Sequence, residues 1–156
     1  MIRKLIFFLF ICSALSADCQ CPTKCPAEFN EYSPSRCLTI VRGPYSTYKD
    51  AVAKCKAIGG VVAKITSSQE NDAVWKAMMA YGQKSGMWIG IEKKSDGSFV
   101  YADGTPITYT KWAPNYYPST NPANTCAVMD PSSGLWLPVN CAESRAYICS
   151  VDLVQG

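Results

Sequence analysis

Asn115, Tyr116, Tyr117, Asn121 and Asn124 fall within ten residues, set among Pro114, Pro118 and Pro122 and just ahead of Cys126. Asn amides supply donors and acceptors for hydroxyl groups, and Tyr gives broad contact at low entropic cost. The same types also serve structure: Asn beside Pro builds turns, and one Tyr of a pair can pack beneath a loop and hold it. Of the 28 residues between Trp112 and Cys141, only Asp130 is a carboxylate. The stretch reads as an exposed contact loop, short of the charge that a hard metal ion demands. The chain contains no His, which excludes His-based catalytic triads and the usual His-containing zinc sites. A glycosidase needs two convergent carboxylates, but here the carboxylates other than Asp130 lie on predicted helices and turns. The residues point to binding rather than catalysis.

The elements that position this loop belong to a chain of 156 residues, enough for one domain with a sizeable core. Arg3 and Lys4 precede an apolar run from Leu5 to Leu15, followed by small residues at Ser16 and Ala17. This pattern predicts a secretory signal over 1–17, cut after Ser16 or Ala17. The run is too short to span a bilayer, and no later segment reads as a span, so a secreted, extracellular product is expected. The 15 basic residues, less Arg3 and Lys4, leave 13 against 12 acidic ones. That near balance gives no support to nucleic-acid or acidic-membrane partners.

Cys12 leaves with the signal, and eight Cys remain. An even number in a secreted chain implies disulfides, but eight allow about a hundred connectivities. Residues 18–24 form a short Cys-containing segment, in which Cys19 and Cys21 pair with each other or link two chains; the spacing leaves both open. The chain has no Asn-x-Ser/Thr acceptor for ordinary N-glycosylation.

Leu38–Val41 reads as a short strand. Ser46 or Thr47 can cap a helix in which Tyr48, Ala51, Val52 and Cys55 recur at helical spacing, ended by Gly59-Gly60. Val61–Ile65 is a further apolar segment. Ser67 and Glu70 fit a capping box, and Val74, Ala77, Met78 and Tyr81 then share a helix face that stops at Gly82. Trp75 is expected to be exposed on this helix. From Met87 onward the pattern changes to short strands: Trp88–Ile91, Phe99–Tyr101, Ile107–Tyr109, Cys126–Met129, Leu135–Leu137 and Ala146–Cys149. Asp96-Gly97, Asp103-Gly104 and Pro131–Gly134 supply turns. Helices first and strands afterwards imply an α+β fold.

Together these pieces resemble the C-type lectin-like domain. The markers are Trp88-Ile89-Gly90-Ile91, the segment ending in Ser68-Gln69-Glu70-Asn71, Asp103-Gly104 followed by Trp112, and the order Cys126, Gly134-x-Trp136, Cys141, Cys149. The resemblance places the domain over 25–150, with a tail at 151–156. It implies that Cys55 pairs with Cys149, Cys126 with Cys141, and Cys25 with Cys37 in the family's longer form. It also implies that Trp88, Trp112 and Trp136 are structural.

In sugar-binding members of that family, a calcium ion held by the long loop contacts sugar hydroxyls. Calcium takes about six to eight oxygen ligands, several of them charged. The resemblance places the first ligand group at Asn121-Pro122-Ala123, where Asn121 offers a neutral carbonyl and Ala123 nothing. Pro122 suits a fixed turn, including one with a cis bond. Leu137 and Pro138 stand where an Asn-Asp pair would be. Calcium elsewhere in the domain would draw on Glu92 or Asp96. The expectation is a secreted, calcium-independent recognition protein with no cofactor. Its ligand-binding residues are Asn115, Tyr116, Tyr117, Asn121, Asn124 and Asn140, and its partner is a glycan or, as the alternative, an extracellular protein.

Overall fold

A computed structural model of the chain describes residues 24–33, 35–116 and 121–153. The signal segment, Cys19, Cys21 and Tyr117 lie outside the described residues. In chain order the elements are β1 (Asn30–Ser33), β2 (Arg36–Ser46), α1 (Tyr48–Ala57), β3 (Val61–Val62), α2 (Ser68–Ala80), β4 (Met87–Lys93), β5 (Phe99–Tyr101), β6 (Asn124–Met129), β7 (Trp136–Asn140) and β8 (Arg145–Asp152). The strands form one sheet ordered β1-β2-β8-β4-β6-β7, with β3 paired to β8 and β5 to β4. All pairings are antiparallel except β4 with β8, which meet in parallel at Trp88 and Tyr147. The architecture is α+β.

β4 explains how the core divides in two. Side chains alternate across a strand, and Met87, Ile89 and Ile91 join one buried cluster with Val74 and Met78 of α2. Trp88 joins the other, with Tyr48, Ala51 and Cys55 of α1. Gly90 is the exception that the packing requires. A Cβ there would stand 2.3 Å from the carbonyl oxygen of Val62, and its N–H donates to the Ala63 oxygen at 2.8 Å. The Trp-Ile-Gly-Ile pattern therefore records a backbone crossing directly over the central strand.

Both helices start on side-chain caps. Thr47 accepts from the Asp50 N–H and Ser67 from the Glu70 N–H, each at 3.2 Å. The return bond of the expected capping box lands one residue early. Glu70 Oε2 accepts from the N–H of Thr66 at 2.7 Å and from its hydroxyl at 2.8 Å, and it also meets Arg36 Nη1 at 3.1 Å. That ion pair draws the carboxylate toward β2.

Other expectations need correction for similar tertiary reasons. Trp75 is half-buried, because its indole N–H donates to the Pro131 oxygen at 2.8 Å and Gly134 packs on its ring. Tyr81 is exposed, with Arg42 stacked over it at 5.3 Å. Ile107–Tyr109 forms no strand; the nearby pairing is the isolated Val100–Pro106 bridge. Val61–Ile65 keeps ladder pairing only at β3.

Three disulfides join Cys25 to Cys37, Cys55 to Cys149 and Cys126 to Cys141. The 94-residue separation of the second ties α1 to β8. In the chain-entropy model such a loop is worth about 4.7 kcal/mol, and the 15-residue separation at Cys126–Cys141 about 3 kcal/mol.

Asn71 is fully buried and joins α2 to the β6–β7 hairpin: its amide donates to the Gly134 oxygen at 3.1 Å and accepts from the Trp136 indole at 2.8 Å. Asn71→Ala leaves both partners buried and unpaired, and should cost about 3 kcal/mol of stability in denaturant unfolding.

Candidate functional site

The loop after Trp112 is fastened before it is exposed. Trp136 donates its N–H to the Lys111 oxygen at 2.8 Å, and its carbonyl accepts from the Ala113 N–H at 2.9 Å. The rings of Tyr109 and Trp112 each meet the Trp136 ring edge-on at 5.7 Å. Lys111 reaches Asp72 of α2 at 3.0 Å. At the far end, the Cys126–Cys141 disulfide and the β6–β7 ladder close the loop.

Between these anchors the candidate residues divide into two groups. Asn115 and Tyr116 occupy a turn, with Asn115 in the left-handed region at φ 67°. Asn adopts that region more readily than most residues. The Tyr116 N–H donates to the Ala113 oxygen at 3.2 Å, and its side chain is 56% exposed. Asn124 and Asn140 are register partners across β6 and β7. Asn121 is tied to that pair through its carbonyl, which accepts from the Asn124 N–H at 3.1 Å.

The side-chain carbonyls that a metal would use are engaged locally. Asn121 Oδ1 accepts from the Ala123 N–H at 3.0 Å, and Asn140 Oδ1 from the Ala142 N–H at 2.9 Å. Leu137 and Pro138 sit in the ladder opposite Val128 and Ala127, and Pro138 is buried. The cis bond considered at Asn121–Pro122 lies instead at Gly43–Pro44 among the described residues.

Asp130 is likewise committed to its turn, where it accepts from the hydroxyls of Ser132 at 2.5 Å and Ser133 at 2.6 Å. Burial pushes its carboxyl up, but the hydroxyls and N–H groups of Ser132 and Ser133 outweigh burial and hold it below the usual carboxylate range. Asp96 is similarly engaged by the N–H and hydroxyl of Ser98. Glu92 stands apart, with burial pushing its carboxyl up and Lys94 partly offsetting this. No group of three or more His, Cys, Asp or Glu able to hold a metal occurs among the described residues. Among the described loop residues, the Asn121 and Asn140 side-chain oxygens are neutral and already hydrogen-bonded, a poor match to the charged ligands that calcium takes.

Asn71 is the positioning residue for which sequence reading supplied no role. Its signal was its place in the Ser68–Asn71 segment, but its partners lie more than sixty residues away.

The family described as "Lectin C-type domain" matches residues 45–151. The chain belongs to the C-type lectin-like domain family. This C-type lectin-like chain is 35% identical to the C-type mannose receptor 2 of Homo sapiens over 127 residues, 79% of its length but 8% of the receptor's. It therefore spans less than a tenth of that relative. It is 30% identical to the Alpha-N-acetylgalactosamine-specific lectin of Patiria pectinifera, with 96% of each chain covered. Among solved structures it superposes on a calcium-independent type II antifreeze protein with a TM-score of 0.72 and 27% identity, covering 83% of this chain and 95% of that one. It shares the fold of human lithostathine at a TM-score of 0.75 and 23% identity, covering 83% and 91%.

Replacing Ser132 and Ser133 by Ala should raise the Asp130 pKa toward the ordinary carboxylate value, as read by NMR titration. Because the folded value is depressed, the stability this turn contributes is present above the unfolded carboxylate pKa and is lost as pH falls through the folded one. The double variant should lose the hydroxyls' share of that acid-limb dependence and keep the part due to the backbone N–H groups.

Proposed function

We propose that the chain is a secreted recognition protein that binds a glycan without calcium, through the loop from Ala113 to Thr125 and the adjoining β6 and β7. The observation that carries the calcium-independent reading is the donor set: Asn121 and Asn140 use their carbonyls in turns, and Leu137 and Pro138 replace side chains that would carry oxygen. Recognition then rests on shape and on hydrogen bonds to hydroxyls. Exposed Tyr116 supplies a ring face, and the amides of Asn115, Asn121, Asn124 and Asn140, with Tyr117, complete the contact set. Single-sugar affinity is weak in such a site.

The glycan reading is supported by the Patiria pectinifera relative, whose name states a sugar specificity and whose length this chain matches. The calcium-independent reading is supported by the solved structure described in those words. Secretion is supported by the pattern of residues 1–17 and by the three disulfides, which persist in oxidising compartments. No helix among the described residues is long and apolar enough to cross a membrane. Binding without catalysis is supported by membership of the C-type lectin family and by the single carboxylate, Asp130, between Trp112 and Cys141.

The second reading is a protein-binding module, favoured by Tyr116, since exposed aromatic residues are common anchors of protein interfaces.

A glycan array run with and without chelator tests the first reading. Binding should be present and unchanged by chelator. Loss of binding on chelation would overturn the calcium-independent reading, and no glycan signal together with capture of a stable protein partner would favour the second. Replacing Tyr116 and Tyr117 by Ala should weaken binding about tenfold, while the exposed Tyr116 change shifts stability by no more than about 0.5 kcal/mol.

A further inference from the structure

Strand β2 runs well past its outer neighbour. β1 pairs with it only from Arg36 to Leu38, with Asn30 opposite Leu38. The chain before Asn30 turns, as the Phe29 N–H donates to the Pro26 oxygen. Beyond Leu38 no described strand lies on that side of β2, while β8 holds the other side as far as Val41. Backbone groups alternate in direction along a strand. The Ser35 oxygen accepts from the Leu153 N–H, so odd-numbered positions here turn toward β8. The oxygen of Ile148, opposite Ile40, accepts from the Ala63 N–H on the far side of β8. The N–H and carbonyl of Ile40 therefore point out of the open edge. β2 stays extended to Ser46, so the same alternation turns those of Arg42 outward. Pro44 has no N–H and closes the slot. Unpaired ladder groups of this kind are a template for a further strand.

The side chains beside this edge set a charge preference. Even-numbered positions of β2 face α2: Arg36 meets Glu70, and Leu38 and Ile40 join the core cluster that holds Val74 and Met78. Arg42 continues that face. Its Nη1 donates to the Tyr81 oxygen at 3.1 Å, and the guanidinium lies over the exposed Tyr81 ring. The end of α2 thus holds an exposed guanidinium beside the open edge. No ion pair takes up Arg42 among the described residues. No carboxylate occurs between Glu31 and Asp50, or between Asp72 and Glu92. Glu143 is held by Arg145, across the ladder from Ser46.

We propose that the β2 edge from Thr39 to Gly43 binds an extended acidic peptide as an added antiparallel strand, continuing the line of β1. Main-chain bonds to Ile40 and Arg42 supply the attachment, as in other cases of strand addition. Directly opposite residues share a face of the sheet. The peptide residue opposite Arg42 is therefore Asp or Glu, which meets the guanidinium fork. The residue two positions later lies opposite Ile40 and is a β-branched apolar one. A basic strand would set like charge against Arg42. A second copy of this chain would do the same, by bringing its own Arg42 to the edge. The loop site lies by β6 and β7, at the other side of the sheet from β1 and β2. This inference does not rest on the loop reading.

The test is titration of the oxidised chain with the end-blocked peptide Thr-Glu-Thr-Val-Thr, followed by amide NMR. The Ile40 and Arg42 amides should shift saturably, with a Kd of about millimolar order, and should exchange more slowly with solvent. Lys in place of the peptide Glu should weaken binding about tenfold, and so should Arg42→Gln with the unchanged peptide. Arg42 is exposed, so Arg42→Gln should leave the rest of the spectrum in place. Methylating the peptide Val nitrogen removes the donor to the Ile40 oxygen and should abolish the response. Tyr116→Ala should leave peptide binding unchanged, which separates failure of this edge from failure of the loop. The proposal is overturned by the absence of a saturable shift at those two amides, or by equal binding of the Lys or N-methyl peptide. It is also overturned if the same amides shift with protein concentration alone, which would put a second copy on the edge.

Discussion

The buried hydrogen bond from the Trp136 indole to Asn71 is the contact on which the loop half of the domain depends. An indole N–H and a side-chain amide are both costly to bury alone, and here each satisfies the other. The bond fixes Trp136 against α2, and much of the loop entrance is attached through that Trp. Its backbone holds Lys111 and Ala113, and its ring supports Tyr109 and Trp112. Asn71 also holds the Gly134 carbonyl, so the hairpin turn and the loop entrance share one anchor. The cap at Ser67 starts the helix that carries Asn71, linking a local sequence signal to the loop's placement.

Much of this was legible in the sequence, where the cause is local. Caps at Thr47 and Ser67, left-handed glycines at turns, and alternation along β4 each arise from neighbouring residues. The family resemblance supplied longer-range order, including which Cys residues meet. What sequence reading placed wrongly depended on distant partners. Glu70 turns to Thr66 because Arg36 of β2 reaches it, and Trp75 is covered because a turn more than fifty residues later accepts its indole N–H. Ile107–Tyr109 has strand-like composition but finds no ladder, since β5 pairs with β4 before that segment begins. At the candidate site, residue types were readable, but the separation of Asn115 and Tyr116 from the Asn124–Asn140 pair was not. The Asn124–Asn140 pairing follows from strand register.

Around the loop, polar groups are neutral or tied into turns, and Asp130 is held ionised by two hydroxyls. That arrangement offers shape and amide donors rather than charge.

The fastening of the loop at both feet has a consequence for how such a chain changes over generations. Trp136 and the Cys126–Cys141 bridge hold the ends, while Asn115 and Tyr116 occupy an exposed turn between them. Substitutions between the feet cost folding little, so selection can act there on ligand preference almost alone. Drift that removes metal ligands leaves a well-folded chain behind, and a new specificity can arise on it without passing through an unstable ancestor.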